Sequence, residues 1–357
     1  MKQFILFSIA MVFSLGAFSQ DNPTAIQNPD TTLVVAENQE AELAYNNGIA
    51  SFKNKDYKSA VDFFNQAIGF RPEFSQAYFN RGSVKMELKE FEAAILDFNM
   101  AIQYADSVPN PYFARAQANY ALNKFDEAFD DYTLAIDKGF KDVKAYYYRG
   151  VINFQRNKYE EAIADFSQAI SIDPTFAYAY NDRGSAKRKN NDIDGAIEDY
   201  EKAVKVDSKF ALAYNNLGTA KRKKGDFDGA IIDYGMAIKH KPDYHIAYNN
   251  RGSAKYDKKD YDGALKDFSE ALKLKNDYVY AINNIGTVKI KQKEYEAAKT
   301  EFSKAIDIDG NYGDAYLNRG VAKEELRDLE GACRDWKKAD ELGVKNASIY
   351  LQDCNEF

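Results

Sequence analysis

The five letters RGSAK combine a glycine, a serine and a lysine, and they occur twice, at residues 183–187 and 251–255. Such a cluster could wrap a phosphate with backbone N–H groups and a lysine side chain. A P-loop, however, needs four residues between its two glycines, followed by lysine and then serine or threonine. Neither copy of RGSAK has that spacing, so the sequence does not favour a phosphate-binding loop.

Other residues that could carry chemistry are few. The chain has only two histidines, His240 and His245, and two cysteines, and they do not form a recognisable zinc-site spacing. No Ser-His-Asp or Cys-His arrangement stands out. The basic runs at 187–191 and 221–226 could contact nucleic acid, but the formal net charge is −7 and each run closes a predicted helix. We therefore expect no enzymatic activity, no cofactor, no metal site and no nucleic-acid partner.

The distance between the two RGSAK segments reveals the elements that position them. They are 68 residues apart, and rows of 34 residues from Ala41 give nine rows without a gap, ending at Asn346. We number the positions in each row as columns 1 to 34. Columns 20 and 27 are alanine in all nine rows, column 24 is always aromatic, and column 8 is glycine except at Ala116. These spacings follow single helix faces, so each row predicts two closely packed helices.

This pattern resembles the tetratricopeptide repeat, whose order is a large apolar residue, Leu-Gly, Tyr, then Ala and Phe, then Pro. The resemblance implies an all-α fold, a right-handed α-solenoid (superhelix) of nine helix-turn-helix units. A capping helix over residues 347–357 would cover the last unit, because the terminal repeat of a solenoid exposes an apolar face. The predicted repeats are 41–74, 75–108, 109–142, 143–176, 177–210, 211–244, 245–278, 279–312 and 313–346.

The N-terminal residues differ in character from the repeats. Lys2 precedes an apolar run, and small residues stand at Ala17 and Ser19, which predicts a signal peptide over residues 1–19. Residues 20–40 are predicted to be a flexible linker. The protein is therefore expected to be exported to a periplasmic, envelope-associated or extracellular location. An uncleaved N-terminal anchor is the alternative.

The two cysteines lie near the C-terminus. Cys333 is in the second helix of the ninth repeat, and Cys354 is in the predicted cap. Since an exported protein meets an oxidising compartment, we predict a disulfide between them. Two buried free thiols are the alternative.

Arginine at column 7 and an acidic residue at column 23 are predicted to pair. Both are present or both absent in seven of the nine rows, whereas pairing the acid with the arginine of the next row agrees in only five of eight. The predicted ion pairs therefore join the two helices of one repeat and are structural rather than catalytic. They are Arg81–Asp97, Arg115–Asp131, Arg149–Asp165, Arg183–Asp199, Arg251–Asp267 and Arg319–Asp335.

The resemblance also implies a concave groove lined by columns 2, 5, 6, 9, 12 and 13 of the first helices. Column 6 is asparagine in six rows, and an amide row can bind an extended peptide backbone. The first four rows instead present aromatic residues, and basic residues stand near the amides. Replacing Asn216, Asn250 and Asn284 by alanine is expected to weaken binding without changing stability. The candidate groove residues are Phe79, Asn80, Phe113, Tyr148, Phe154, Arg188, Asn216, Arg222, Lys223, Asn250, Asn284 and Asn318.

From the sequence we predict that the protein is a non-enzymatic scaffold that binds a protein or an extended peptide in this groove. It would associate with a membrane only through a partner. Two alternatives stay open. The chain could be an envelope assembly factor that uses its convex face or its ends, or an accessory subunit of a polysaccharide-acting enzyme.

Overall fold

The computed structural model describes residues 31–354, without the side chains of residues 31–37 and of Asp353. The predicted signal peptide and the first eleven residues after it, together with the last three residues of the predicted cap, lie outside this part. All regular structure within residues 31–354 is helical. The all-α prediction is therefore confirmed.

The chain forms two compact units, Met1–Asp173 and Pro174–Phe357. The helices of the first unit are α1 (Thr31–Lys53), α2 (Tyr57–Phe70), α3 (Ser75–Glu87), α4 (Phe91–Tyr104), α5 (Pro109–Ala121), α6 (Phe125–Asp137), α7 (Val143–Gln155) and α8 (Tyr159–Ile172). The helices of the second unit are α9 (Ala177–Lys189), α10 (Ile193–Val206), α11 (Ala211–Lys224), α12 (Phe227–His240), α13 (His245–Asp257), α14 (Tyr261–Leu274), α15 (Val279–Lys291), α16 (Tyr295–Ile308), α17 (Gly313–Glu325), α18 (Leu329–Glu341) and α19 (Ala347–Tyr350), followed by a 3₁₀ turn at Leu351–Cys354.

The helices pair as the 34-residue rows require. In each unit an odd-numbered first helix packs against the even-numbered second helix that follows it, and this second helix packs against the next first helix. Successive first helices also touch one another, as α9 and α11 do. The first helices of a unit therefore form one layer, and this layer carries the candidate groove columns.

A glycine at column 8 sets the distance between the two helices of a repeat. A Cβ atom added to Gly252 would lie 2.7 Å from Cε1 of Phe268, the column-24 ring of the same repeat, and one added to Gly82 would lie 2.6 Å from Cε1 of Phe98. Such distances are below van der Waals contact, and the two rings are at most 1% exposed. The ring of each repeat therefore lies directly on the backbone of its first helix.

The turn between the two helices has a fixed backbone conformation. The column-15 residue has a positive φ in all nine repeats, for example +65° at Lys259, and only Gly225 among them is a glycine. Five turns then continue with an aspartate that caps the second helix, as Asp260 Oδ1 does by accepting a 3.0 Å bond from the Gly263 N–H. These turns are short because the left-handed residue reverses the chain in a single step.

Two predicted boundaries differ from the structure. Helix α1 begins at Thr31, so residues 31–40 are helical although they were expected to be linker. The cap is one α-helical turn followed by a 3₁₀ turn, not one helix over residues 347–357. Left-handed residues at Gly343 and Asn346, with φ of +74° and +70°, separate this cap from α18.

The cap nevertheless covers the end of the last repeat. Ala347 is fully buried, and the Tyr350 ring centroid lies 5.1 Å from that of Trp336 on α18. Cys354 forms a disulfide with Cys333, with their Cα atoms 5.7 Å apart. The disulfide thus ties the cap to the second helix of the ninth repeat.

The close approach at column 8 gives a matched test within the second unit. Gly252→Ala is expected to lower the free energy of unfolding by about 1–3 kcal/mol, because the new methyl group overlaps the buried Phe268 ring. Gly235→Ala is the control, since Gly235 lies on α12 and the nearest atom to its added Cβ is Arg251 Nη1 at 3.8 Å. That control should raise the free energy of unfolding by up to about 1 kcal/mol through helix propensity. Urea unfolding followed by circular dichroism measures both, and equal effects of the two substitutions would contradict this account of the packing.

Candidate functional site

All six predicted arginine–aspartate pairs form between the two helices of a repeat. In the second repeat, Arg81 Nη2 lies 2.5 Å from Asp97 Oδ1, and Arg81 Nε donates to Asp97 Oδ2 at 3.0 Å. The aspartates are buried, as Asp97 is at 3% exposure, and each arginine grips its carboxylate with two N–H groups. The other pairs have Nη2–Oδ1 distances of 2.6–2.7 Å and are Arg115–Asp131, Arg149–Asp165, Arg183–Asp199, Arg251–Asp267 and Arg319–Asp335.

Each of the six arginine-paired aspartates has a second partner that the sequence analysis missed. Column 11 supplies a lysine in several repeats, such as Lys255, whose Nζ lies 2.8 Å from Asp267 Oδ2. In the fourth repeat Asn153 takes this place and donates to Asp165 Oδ2 at 2.9 Å. The signal was present, because column 11 is lysine or asparagine in every row except the first. With two partners each, these carboxylates serve structure, and no arrangement for acid–base chemistry is left at them.

The same arginines also link one repeat to the preceding one. Arg81 Nη1 donates to Asn65 Oδ1 at 2.6 Å, and Arg115 Nη1 donates to Asn99 Oδ1 at the same distance. In the sixth repeat, which lacks the column-7 arginine, Asp233 pairs only with Lys221, whose Nζ lies 2.8 Å from Asp233 Oδ2. Burial raises the pKa of this aspartate. The network therefore ties helix to helix and repeat to repeat.

The asparagines of the second unit form a hydrogen-bonded ladder across the first helices. The column-6 Nδ2 of one repeat donates to the column-5 Oδ1 of the preceding repeat at 2.9–3.0 Å. The column-5 acceptors are buried, with exposures of 2–7%, whereas the column-6 donors are half-buried. The ladder bonds are Asn216 to Asn181, Asn250 to Asn215, Asn284 to Asn249 and Asn318 to Asn283.

This ladder corrects the expectation that the column-6 amides serve binding alone. Without its column-6 donor, a buried column-5 carbonyl would lose its hydrogen bond, which costs about 1–3 kcal/mol. The alanine variants expected to leave stability unchanged should therefore destabilise the protein. Asn80 is likewise engaged, because it is 5% exposed and donates to the Tyr45 hydroxyl at 2.7 Å.

Column 5 of the first unit packs inside the repeats rather than lining a groove. Phe79 is 9% exposed, with its ring centroid 6.0 Å from that of Phe98, the column-24 ring. Phe113 lies 4.5 Å from Phe140 and 5.9 Å from Tyr132. Both were expected at the binding surface, but column 5 faces the second helix of its own repeat, so these rings fill the space between the helices.

An aromatic cluster remains half-buried on the first helices of this unit. The Tyr120 ring centroid lies 5.1 Å from that of Tyr148 and 5.3 Å from that of Phe125. Phe154 is also half-buried, 5.6 Å from Tyr159. Tyr120, Tyr148 and Phe154 occupy columns 6 and 12, which are candidate groove columns.

The three basic candidates of the second unit have different surroundings. Arg222 Nε lies 2.6 Å from Asp257 Oδ2, so its charge is already paired. Arg188 is half-buried and its Nε donates to the hydroxyl of the buried Tyr200 at 3.4 Å. Lys223 is exposed. Of these three residues, Arg222 alone forms an ion pair with another described residue.

The described residues contain neither a metal-binding cluster nor a helix that could cross a membrane. In residues 31–354 no group of three or more His, Cys, Asp or Glu side chains is placed to hold a metal ion. In the same range, none of the helices has both the length and the apolar character that a bilayer crossing requires.

Family models match six segments of the chain, two of which overlap, and together these segments span more than half of it. Models described as tetratricopeptide repeat match residues 75–107, 143–176, 211–244, 245–278 and 279–312, and one described as TPR repeat matches residues 184–221. The helix pairs agree with these matches. The chain belongs to the tetratricopeptide repeat family.

Solved structures show the same fold at low identity. The C-terminal part of a repeat protein from Cytophaga hutchinsonii is 19% identical with a TM-score of 0.56, covering 67% of this chain and 98% of that one. A tetratricopeptide repeat protein from Parabacteroides merdae is 18% identical with a TM-score of 0.52, covering 72% and 98%. PilF from Pseudomonas aeruginosa is 21% identical with a TM-score of 0.52, covering 60% and 96%. No curated protein matches the sequence significantly.

The ladder can be tested by its effect on stability. Asn250→Ala is expected to lower the free energy of unfolding by about 1–3 kcal/mol, because the buried Asn215 carbonyl loses its donor. Asn46→Ala is the control: Asn46 also occupies column 6, but it is exposed and belongs to the first repeat. That control should change the free energy of unfolding by at most about 0.5 kcal/mol. Similar losses in both variants, measured by urea unfolding, would show that the ladder bond is not what stabilises the repeat.

Proposed function

We propose that this protein is a non-catalytic scaffold that binds an extended peptide, or an extended segment of a partner protein, along its first helices. The tetratricopeptide fold is typical of protein–protein interaction scaffolds, and the chain belongs to that family. The open question is which surface binds, and the amide ladder is the observation that supports the first-helix face.

The ladder leaves part of each column-6 amide available. One N–H of Asn250 is used to bond Asn215, which holds the amide in a fixed orientation. Within residues 31–354, the Oδ1 atoms of Asn216, Asn250, Asn284 and Asn318 accept no hydrogen bond. Asn216, Asn250 and Asn318 therefore each offer an acceptor and one N–H donor at a half-buried position. Asn284 offers the acceptor, while its Nδ2 also donates to Ser253 Oγ at 3.5 Å. An extended backbone presents the complementary groups, so it could bind with little dependence on its sequence.

The first helices of the first unit offer a different surface. Tyr120, Tyr148 and Phe154 are half-buried aromatic side chains, and Tyr120 and Phe154 each pack against another aromatic ring. Such rings bind apolar side chains well, because they bury a large area at small entropic cost. We propose that this unit takes the apolar part of a partner.

We further propose that the protein acts after export, which rests on the apolar N-terminal run and on the use of the two cysteines as a disulfide. The second helices support the alternative of an assembly factor that binds with its outer face. Leu96 on α4 and Ile232 on α12 are 67% and 65% exposed. An experiment must therefore distinguish the two faces within each unit.

Site-specific photocrosslinking in the native cell can make this distinction. A benzophenone amino acid replaces Tyr120 or Tyr256 on first helices, or Leu96 or Ile232 on second helices. We expect covalent capture of a partner from the first-helix positions, because both tyrosines occupy column 12, a candidate groove column, of a first helix in their own unit. The aromatic probe replaces a half-buried ring in these two variants, so their folds should be preserved.

The second-helix positions are the matched controls, one in each unit. Capture from Leu96 or Ile232, with none from Tyr120 or Tyr256, would reject binding along the first helices and support the outer-face alternative. Mass spectrometry of the captured species identifies the partner and the segment that is crosslinked.

A further inference from the structure

Two kinds of bond place successive first helices of the second unit in one register. The ladder joins column 5 of one repeat to column 6 of the next, as Asn215 and Asn250 show. Seven residues further along the helices, Arg222 at column 12 pairs with Asp257 at column 13 of the next repeat, at 2.6 Å. Seven residues are two helical turns, so both contacts lie on one face. Column 12 of each repeat therefore lies beside column 13 of the next.

From the same register we expect two cations to be neighbours between α9 and α11. Column 12 of the fifth repeat is Arg188, and column 13 of the sixth is Lys223. The ladder bond from Asn216 to Asn181, at 2.9 Å, shows that these two helices follow the register. At columns 12 and 13 the sixth and seventh repeats have an arginine and an aspartate, which pair. At the same columns the fifth and sixth repeats have an arginine and a lysine.

Neither of these cations has an acidic partner in the described part of the chain. The Arg188 guanidinium bonds only the Tyr200 hydroxyl, through Nε, which leaves both Nη groups without a bond there. Lys223 is exposed and forms no ion pair within residues 31–354. The neighbouring lysines differ: Lys221 pairs with Asp233 at 2.8 Å, and Lys224 with Asp194 at 2.6 Å.

We propose that Arg188 and Lys223 form a binding site for a carboxylate of the bound peptide, an aspartate or glutamate side chain or a terminal carboxylate. This inference rests on the proposed function. Two adjacent like charges repel, and an anion placed between them removes the repulsion and gains charge-assisted hydrogen bonds. The free Nη groups of Arg188 suit the two oxygens of a carboxylate, while Lys223 supplies a flexible second charge. Asp257 already neutralises the charge of Arg222 between the sixth and seventh repeats. The proposed anion site therefore lies between the fifth and sixth repeats, where no such aspartate is present at column 13.

A substitution in the protein can place a carboxylate in the proposed site and so compete with the ligand. Lys223→Asp places a carboxylate opposite Arg188, in the arrangement that Arg222 and Asp257 already have, so the variant should remain folded. Lys291→Asp is the matched control, because Lys291 is also an exposed column-13 lysine and the substitution changes the net charge equally. Its column-12 neighbour is Tyr256, which is not a cation.

The probe is a bead-bound library of random octapeptides with amidated C-termini, screened against the wild-type protein and both variants. We expect the wild-type protein and the Lys291→Asp variant to enrich peptides with Asp or Glu at one position. A peptide so selected should bind the Lys223→Asp variant about ten- to a hundredfold more weakly, the loss expected for a charge-assisted hydrogen bond. Changing its acidic residue to the amide should weaken binding to the wild-type protein by a similar factor.

A parallel library with free C-termini distinguishes the two sources of the carboxylate, since a preference confined to that library identifies the terminal group. Peptides enriched without any acidic or terminal preference, or with a preference that the Lys223→Asp variant keeps, would overturn the anion site and leave the proposed scaffold function standing. Failure of the wild-type protein to enrich any peptide would count against both proposals.

Discussion

The close approach of the two helices in each repeat is the constraint on which the rest of the structure depends. Column-24 rings lie on the backbone of the first helix at column 8, where no Cβ fits without a shift in most repeats. At this separation the column-7 arginine reaches the buried column-23 aspartate on the facing helix, as Arg251 reaches Asp267 at 2.7 Å. A wider spacing would leave that aspartate buried without its cation, which is strongly destabilising. Packing and electrostatics therefore require the same geometry.

Much of this geometry was predictable from the sequence, because it repeats inside a single 34-residue row. The helix pairs, the small residues between them and the arginine–aspartate partners all follow from columns of one row. The pairing of Cys333 with Cys354 followed from chemistry and position, and the disulfide is present in the structure. Such features depend only on contacts within one repeat or between its end and the cap.

What the sequence analysis missed depends on contacts between rows. Asn250 bonds Asn215, 35 residues earlier, so a comparison of columns within one row could not reveal the ladder. The direction of column 5 was also misjudged, since Phe79 faces Phe98 of its own repeat. The start of α1 at Thr31 was missed because residues 31–40 lie outside the repeating pattern. In each case the missing information was the register between neighbouring helices or the extension of a helix beyond its repeat.

The ladder gives the first-helix layer two roles at once in this account. Its inner amides satisfy one another and hold the repeats in register, and its outer atoms are proposed to bind the backbone of a partner. Because one N–H of each column-6 amide is fixed, the remaining donor and acceptor are oriented before a ligand arrives, which reduces the entropic cost of binding. Arg188 and Lys223 would then add selectivity for a carboxylate to a surface that otherwise binds only the backbone of a peptide.

Whether the column-6 amides bind a partner is tested most directly by an NMR titration of the side-chain amide resonances with a peptide selected by the wild-type protein. We expect the NH₂ signals of Asn216, Asn250, Asn284 and Asn318 to shift on binding and to saturate together, while backbone signals near Ile232 on α12 stay in place. Saturable binding that shifts signals around Ile232 and leaves all four asparagine amides unchanged would contradict this expectation.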